Sequence, residues 1–231
     1  MDKIKNIIFD WDNTLFPFKE KYWESAHRKL FAEQLNFNDV YELDLFMDKY
    51  HDFDELLWPR VHRREMTIDE LRNERLRLTL RYFDIAFEEN YIQGFFEQFL
   101  KTLLDDIQPN QWLINQLERL SDSYRIAILS NGGHWEQREK LRRSDIEGRY
   151  PIYISGETGF LKPDARAFMN LLNQEHFKAV ETLMVGDLIE HDIEPAKKLG
   201  MKTAYIGAQK ETIADFEFET IQDFFNFFVK E

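Results

Sequence analysis

A short apolar run, Ile7-Ile8-Phe9, passes directly into Asp10, and Asp12 follows two residues later. An apolar run closed by polar turn residues reads as a buried parallel strand. Asp10 therefore stands where that strand leaves its sheet, and Asn13-Thr14 supply turn chemistry beyond it. In open α/β sheets, ligands bind outside the carboxyl ends of the strands. Two carboxylates at such a place suit a nucleophile and an acid/base, both close to a metal ion.

The rest of the chain decides what kind of sheet this strand joins. From position 109 onward, strand and helix patterns alternate. Strands are expected at 124–129, 150–154, 182–185 and 202–206. Helices are expected at 109–120, 134–143, 164–173 and 189–199, with a Phe-rich helix from 220 to 231. Between 17 and 106 the pattern is helical only. One helix is read over 19–35, and a second is opened by Asp39 and runs to Asp48. A third starts at a capping box, Thr67 with Glu70, and turns Leu71, Leu78 and Tyr82 or a near neighbour inward. A fourth covers 89–104. Alternation of this kind gives a parallel sheet. The expected fold is α/β: a doubly wound parallel-sheet (Rossmann-like) core from residues 1–16 and 107–231, with an inserted α-helical cap domain at 17–106.

Composition narrows the function. The chain of 231 residues has a formal net charge of −13, a poor match to a phosphate-backbone binder, so no nucleic-acid partner is expected. With no cysteine, disulfides, thiolate metal sites and cysteine nucleophiles are excluded. No apolar run approaches the ~18 residues that span a bilayer, and the first ten residues lack a signal-peptide pattern. A cytoplasmic protein without a membrane partner, monomer or homodimer, is the expectation. The 21 phenylalanines read as core filling.

Polar residues gather at the expected strand ends in four motifs: FDWDNTLF at 9–16, ILSNGG at 128–133, GFLKPDARAF at 159–168 and VGDLIEHDI at 185–193. All four, in this order, resemble the haloacid dehalogenase-like hydrolase superfamily, and the helical insert resembles the placement of its C1 cap. The resemblance covers nearly all of the core and implies a Mg²⁺-dependent phosphatase. Asp10 is then the nucleophile that forms an aspartyl phosphate. Asp12 protonates the leaving oxygen, deprotonates the attacking water, and binds the metal through its backbone carbonyl. Ser130, with the backbone around Asn131 and Gly132, holds phosphoryl oxygens, and Lys162 adds positive charge. Asp10 and Asp187 ligate Mg²⁺ by their side chains. Asp192 steadies the metal shell from behind, or ligates through water. The substrate implied is a small phosphorylated metabolite: a sugar phosphate, a nucleoside monophosphate or a phosphorylated acid.

The resemblance leaves neighbouring chemistries in view. Dehalogenase members act on carbon and need neither Asp12 nor a metal, so Asp12 with Asp187 favours phosphoryl transfer. A phosphomutase uses the same aspartate pair. A receiver-like phospho-switch carries similar residues, but lacks a helical insert after its first strand. In the cap, Arg60, Arg63 and Arg64 stand out in an acidic chain. Arg60 and Arg63 are candidates for contacting the substrate, against the alternative that they are solvated or pair with acids such as Glu65.

Overall fold

The computed structural model describes residues 4–37, 39–63 and 65–229. Arg64, one of the basic residues singled out above, lies outside the described residues. The chain divides into two compact units, Met1–Lys21 with Ile107–Glu231, and Tyr22–Asp106. The division falls five residues later than the expected insert start. Asn13 Oδ1 accepts the Lys19 N–H at 2.7 Å, tying the first turn after Pro17 back to the strand-end loop.

Strand β1 spans Asn6–Phe9. A π-helical turn, Phe18–Trp23, leads into the helical unit. That unit holds α1 (Glu24–Gln34), α2 (Val40–His62), α3 (Ile68–Tyr82) and α4 (Glu89–Asp106). Asp39 caps α2 through the Glu42 N–H, but the helix continues well past Asp48. Its buried positions Phe46, Met47, Tyr50, Asp54 and Leu57 keep helical spacing, and Pro59 falls only in the last turn. The capping box of Thr67 and Glu70 is formed. The buried face of α3 differs from the expectation. Leu71, Arg75, Leu76, Thr79 and Leu80 point inward, while Tyr82 is exposed. The Arg75 guanidinium turns the helix, because it pairs with Asp54 in the interior and lies over the Tyr50 ring. His27 is buried beside this pair. Its Nδ1 is 2.8 Å from the Trp23 carbonyl oxygen and its Nε2 is 3.0 Å from Tyr50 Oη.

The second unit continues with α5 (Gln111–Ser121), β2 (Arg125–Ser130), α6 (His134–Arg143), β3 (Ile152–Ile154), α7 (Ser155–Thr158), α8 (Ala165–Gln174) and β4 (Thr182–Gly186). A π-helical turn, Ile189–Ile193, precedes α9 (Glu194–Lys198), β5 (Lys202–Ile206), β6 (Phe216–Phe218) and α10 (Ile221–Phe228). Among the described residues six strands form one all-parallel sheet, in the order β3-β2-β1-β4-β5-β6. This is a Rossmann-like sheet with flanking helices. β6 is an addition to the expected strands; three residues at a sheet edge are too short for a periodicity to register.

Successive residues of β1 point to opposite faces. Ile8 joins a cluster with Ala127, Leu129, Phe168, Leu171, Met184 and Ala196, which seats α8 and α9. Phe9 meets the Phe224 ring edge-on and stacks on Phe225, both of α10, and Phe225 meets Trp112 of α5. Each such fully buried side chain contributes roughly 1.5–3 kcal/mol. Burial on both faces explains why β1 reads as a continuous apolar run.

Candidate active site

The register of the three central strands brings the site together. Phe9 pairs with Ile128 on β2 and with Val185 on β4. The Asp10 N–H extends the ladder by donating to the Val185 carbonyl at 2.9 Å. Asp10, Ser130 and Asp187 therefore leave the sheet at one edge, within two residues of a common line. β1 and β4 are also the strands at which the chain order reverses, the place where sheets of this kind bind ligands.

Lys162 is carried to the same edge by the loop after α7. Its backbone is fixed by Asn131: Oδ1 accepts the Lys162 N–H and Nδ2 donates to the Lys162 carbonyl, both at 2.9 Å. The Lys162–Pro163 peptide bond is cis. Lys162 Nζ donates to Asp10 Oδ1 and to Asp192 Oδ1, each at 2.6 Å. The second Asp192 oxygen accepts the Leu188 N–H at 3.1 Å. Asp192 lies across the end of β4 so closely that residue 186 is a glycine: a Cβ there would stand 2.4 Å from Asp192 Oδ2. Thr14 Oγ1 is 3.3 Å from both Asp10 Oδ2 and Asp187 Oδ1.

The charges in this cluster do not balance. One ammonium faces three carboxylates, all largely shielded from water. Burial disfavours the charged form of Asp10, and although Lys162 opposes this, the Asp10 carboxyl is held above its ordinary range. Burial, with Asp10 next in effect, pushes Asp187 up to about 8. Burial disfavours the charged form of Lys162, but Asp10 and Asp192 more than offset that and hold the ammonium charged. One oxygen from each of Asp10, Asp187 and Asp192 lies within 4.8 Å of the others. A surplus of negative charge in a cluster of carboxylate oxygens fits a hard divalent cation. Asp10 and Asp187 suit direct ligation. Asp192 has one oxygen on Lys162 and the other on Leu188 N–H, so its present bonds hold Lys162 in place.

Asp12 stands apart from that cluster. Its carboxylate accepts from Lys140 Nζ through both oxygens, at 2.8 Å each, and from Gln137 Nε2 at 2.7 Å. Neither Lys140 nor Gln137 figured in the sequence reading, which took α6 as a polar helix. The signal was its spacing: Gln137, Lys140, Leu141 and Ser144 share one helical face, and all four are buried.

Other expected site residues take different positions. Ser130 ends β2, is buried, and donates to the Asn131 carbonyl at 3.4 Å. Asn131 uses its side chain on the Lys162 backbone rather than leaving it open. The Gly132 N–H donates to Ser155 Oγ at 2.9 Å. Gly132 also contributes shape, since at its φ of +146° a Cβ would meet Gln137 Nε2 at 2.5 Å. Arg60 and Arg63 belong to the helical unit and are exposed. Arg63 makes a two-pronged pair with Glu65, at 2.7 and 3.1 Å.

Comparison with known proteins gives the family. Residues 50–206 match the family model described as haloacid dehalogenase-like hydrolase. The chain is 25% identical to the HAD-hydrolase YfnB of Bacillus subtilis (strain 168), over 98% of this chain and 96% of the relative. It is also 25% identical to a glyceraldehyde 3-phosphate phosphatase of Pyrococcus furiosus, over 97% of this chain and 89% of the relative. Identity to the pyrimidine 5'-nucleotidase PynA of Streptococcus pneumoniae is 22%, over 87% and 83%. The crystal structure of YfnB bound to magnesium shares the fold with a TM-score of 0.81, at 22% identity, covering 98% of this chain and 99% of that one. With four motifs at one sheet edge and a family model that spans most of the sequence, the chain belongs to the haloacid dehalogenase-like hydrolases.

Proposed function

We propose that the protein is a Mg²⁺-dependent phosphatase of small phosphate monoesters, working through a phosphorylated Asp10. One observation carries this reading. Two aspartates two residues apart are held by different lysines, Asp10 by Lys162 and Asp12 by Lys140. The first is bonded within the cation-type cluster, and the second is kept out of it. Nucleophile and acid/base thus have separate supports. Two relatives, matched over most of their length and carrying the names of a phosphatase and a nucleotidase, favour the same chemistry.

Asp10 and Asp187 would hold Mg²⁺, which when bound would supply positive charge where the phosphoryl group transfers. Asp10 attacks phosphorus in line, and the bond from phosphorus to the leaving oxygen breaks. Asp12 gives that oxygen a proton. Lys162, fixed by Asn131 and Asp192, stabilises charge on the phosphoryl group as it transfers. Water then attacks the aspartyl phosphate while Asp12 takes its proton. The bond from Asp10 to phosphorus breaks, and inorganic phosphate leaves. Ser130, at the end of β2, binds a phosphoryl oxygen in this reading.

The test is release of inorganic phosphate from p-nitrophenyl phosphate with Mg²⁺, its loss with EDTA, and its loss in Asp10→Asn. Turnover by Asp10→Asn at the wild-type rate would overturn the reading. A screen of sugar phosphates, nucleoside monophosphates and phosphorylated acids then names the substrate. Because Arg63 is exposed and paired with Glu65, Arg63→Ala is expected to leave KM unchanged.

A further inference from the structure

We infer that Lys140, assisted by Gln137, is a positioning residue for Asp12: it fixes the acid/base carboxylate where the leaving oxygen is protonated. The inference rests on the function proposed above.

Three donor contacts converge on Asp12, two from Lys140 Nζ and one from Gln137 Nε2. Lys140 and Gln137 are each 1% exposed. Burying an ammonium costs several kcal/mol, and a core selected only for stability is served as well by an apolar side chain. The Gln137 amide spends its donors on Asp12 Oδ2 and the Asn131 carbonyl, each at 2.7 Å, which fixes the amide's orientation. Its Oε1 is left buried without a hydrogen-bond partner. The same side chain is what makes residue 132 a glycine. The Lys140 ammonium also lies 4.3 Å from the Phe18 ring centre and 5.8 Å from that of Phe16. These two rings fall on either side of Pro17, in the segment that directly follows the Asp12 turn. Lys140 therefore fixes the carboxylate and packs against the chain leading away from it. A carboxylate held in this way loses its rotational freedom before substrate arrives, which is the means by which positioning accelerates a proton transfer.

The experiment compares two substrates on one enzyme preparation. p-Nitrophenolate leaves without needing a proton, whereas the alkoxide of an alkyl phosphate needs one. The ratio of kcat/KM for the alkyl ester to that for p-nitrophenyl phosphate does not depend on how much of the preparation is folded. Lys140→Met is expected to lower the ratio about ten-fold or more, within the range of general acid catalysis. Gln137→Met should lower it by less, and it serves alone if Lys140→Met is insoluble. Asp12→Asn calibrates the scale by lowering the ratio in the same direction. If Asp12→Asn lowers the ratio while Lys140→Met and Gln137→Met stay within about two-fold of wild type, well short of that range, Lys140 is structural only and the inference fails. If Asp12→Asn leaves the ratio unchanged, the acid assignment itself fails, and the inference with it.

Discussion

The side-chain amide of Asn131 binds the backbone of Lys162 from both directions, accepting its N–H and donating to its carbonyl, each at 2.9 Å. The end of β2 thereby sets where the Lys162 ammonium starts from, and the ammonium in turn sits on Asp10. Asn131→Asp keeps the acceptor but turns a carboxylate oxygen on the Lys162 carbonyl. It should lower kcat about ten-fold or more, as misplacement of a catalytic group does. Loss of two part-buried hydrogen bonds in Asn131→Leu should cost about 1–3 kcal/mol. Steady-state kinetics and denaturant unfolding check the two effects separately.

The cation site proposed above should carry a pH signature set by Asp187. Its carboxyl is pushed up to about 8 from an ordinary 3.8, first by burial and then by Asp10. Between those values the unfolded chain has lost this proton and the folded protein keeps it. Stability from this group is complete below about pH 4 and is lost as pH rises through about 8. A cation removes the reason for the proton. Mg²⁺ should therefore raise Tm more at pH 8 than at pH 5, by about 5 °C or more at saturation. Asp187→Asn should abolish the Mg²⁺ shift at both pH values. Thermal melts with Mg²⁺ or EDTA measure it.

His27 acts in the opposite sense, in the helical unit. Burial, then the nearby Arg75 charge, holds its imidazole well below the ordinary 6.5. Below that pH the unfolded chain takes up a proton that the folded protein refuses. The stabilisation is present above pH 6.5 and declines as pH falls, by up to ~1.4 kcal/mol per pH unit. His27→Phe lacks this titration. The stability difference between wild type and variant should therefore shrink on acidification from pH 7 to pH 5. Urea unfolding across that range decides it; a constant difference would exclude the effect.

Gly186→Ala tests whether Asp192 governs Lys162. The added Cβ would lie 2.4 Å from Asp192 Oδ2 and 2.5 Å from its Cγ, so Asp192 must move. The buried Lys162 ammonium then loses one of its two carboxylate partners. Breaking a buried pair costs about 3–5 kcal/mol when one partner is removed, and displacement should approach the low end of that range. A drop in stability together with a drop in kcat is expected. A fully stable, fully active Gly186→Ala enzyme would show that Asp192 is not needed where it stands.

What could be read from the chain alone, and what could not, follows from how far each signal reaches. Strands β1, β2, β4 and β5 announce themselves because burial on both faces leaves a local run of apolar residues, and the polar residue ending each run marks the sheet edge. That was enough to name Asp10, Ser130 and Asp187, and the cis-linked Lys162 loop came with the motif it sits in. Lys140 was hidden because a lysine in a charged helix looks solvated until the helix is docked. Only the fold puts it across from Asp12, 128 positions away in the chain. Nothing local shows that the Gly132 N–H donates to Ser155 Oγ. The inward turn of Arg75 depends on Asp54, a partner that helical periodicity does not weigh. Apolar pattern and turn chemistry are properties of neighbours along the chain. Charge pairing and hydrogen-bond satisfaction are properties of neighbours in space, so they were decided only when the chain was folded.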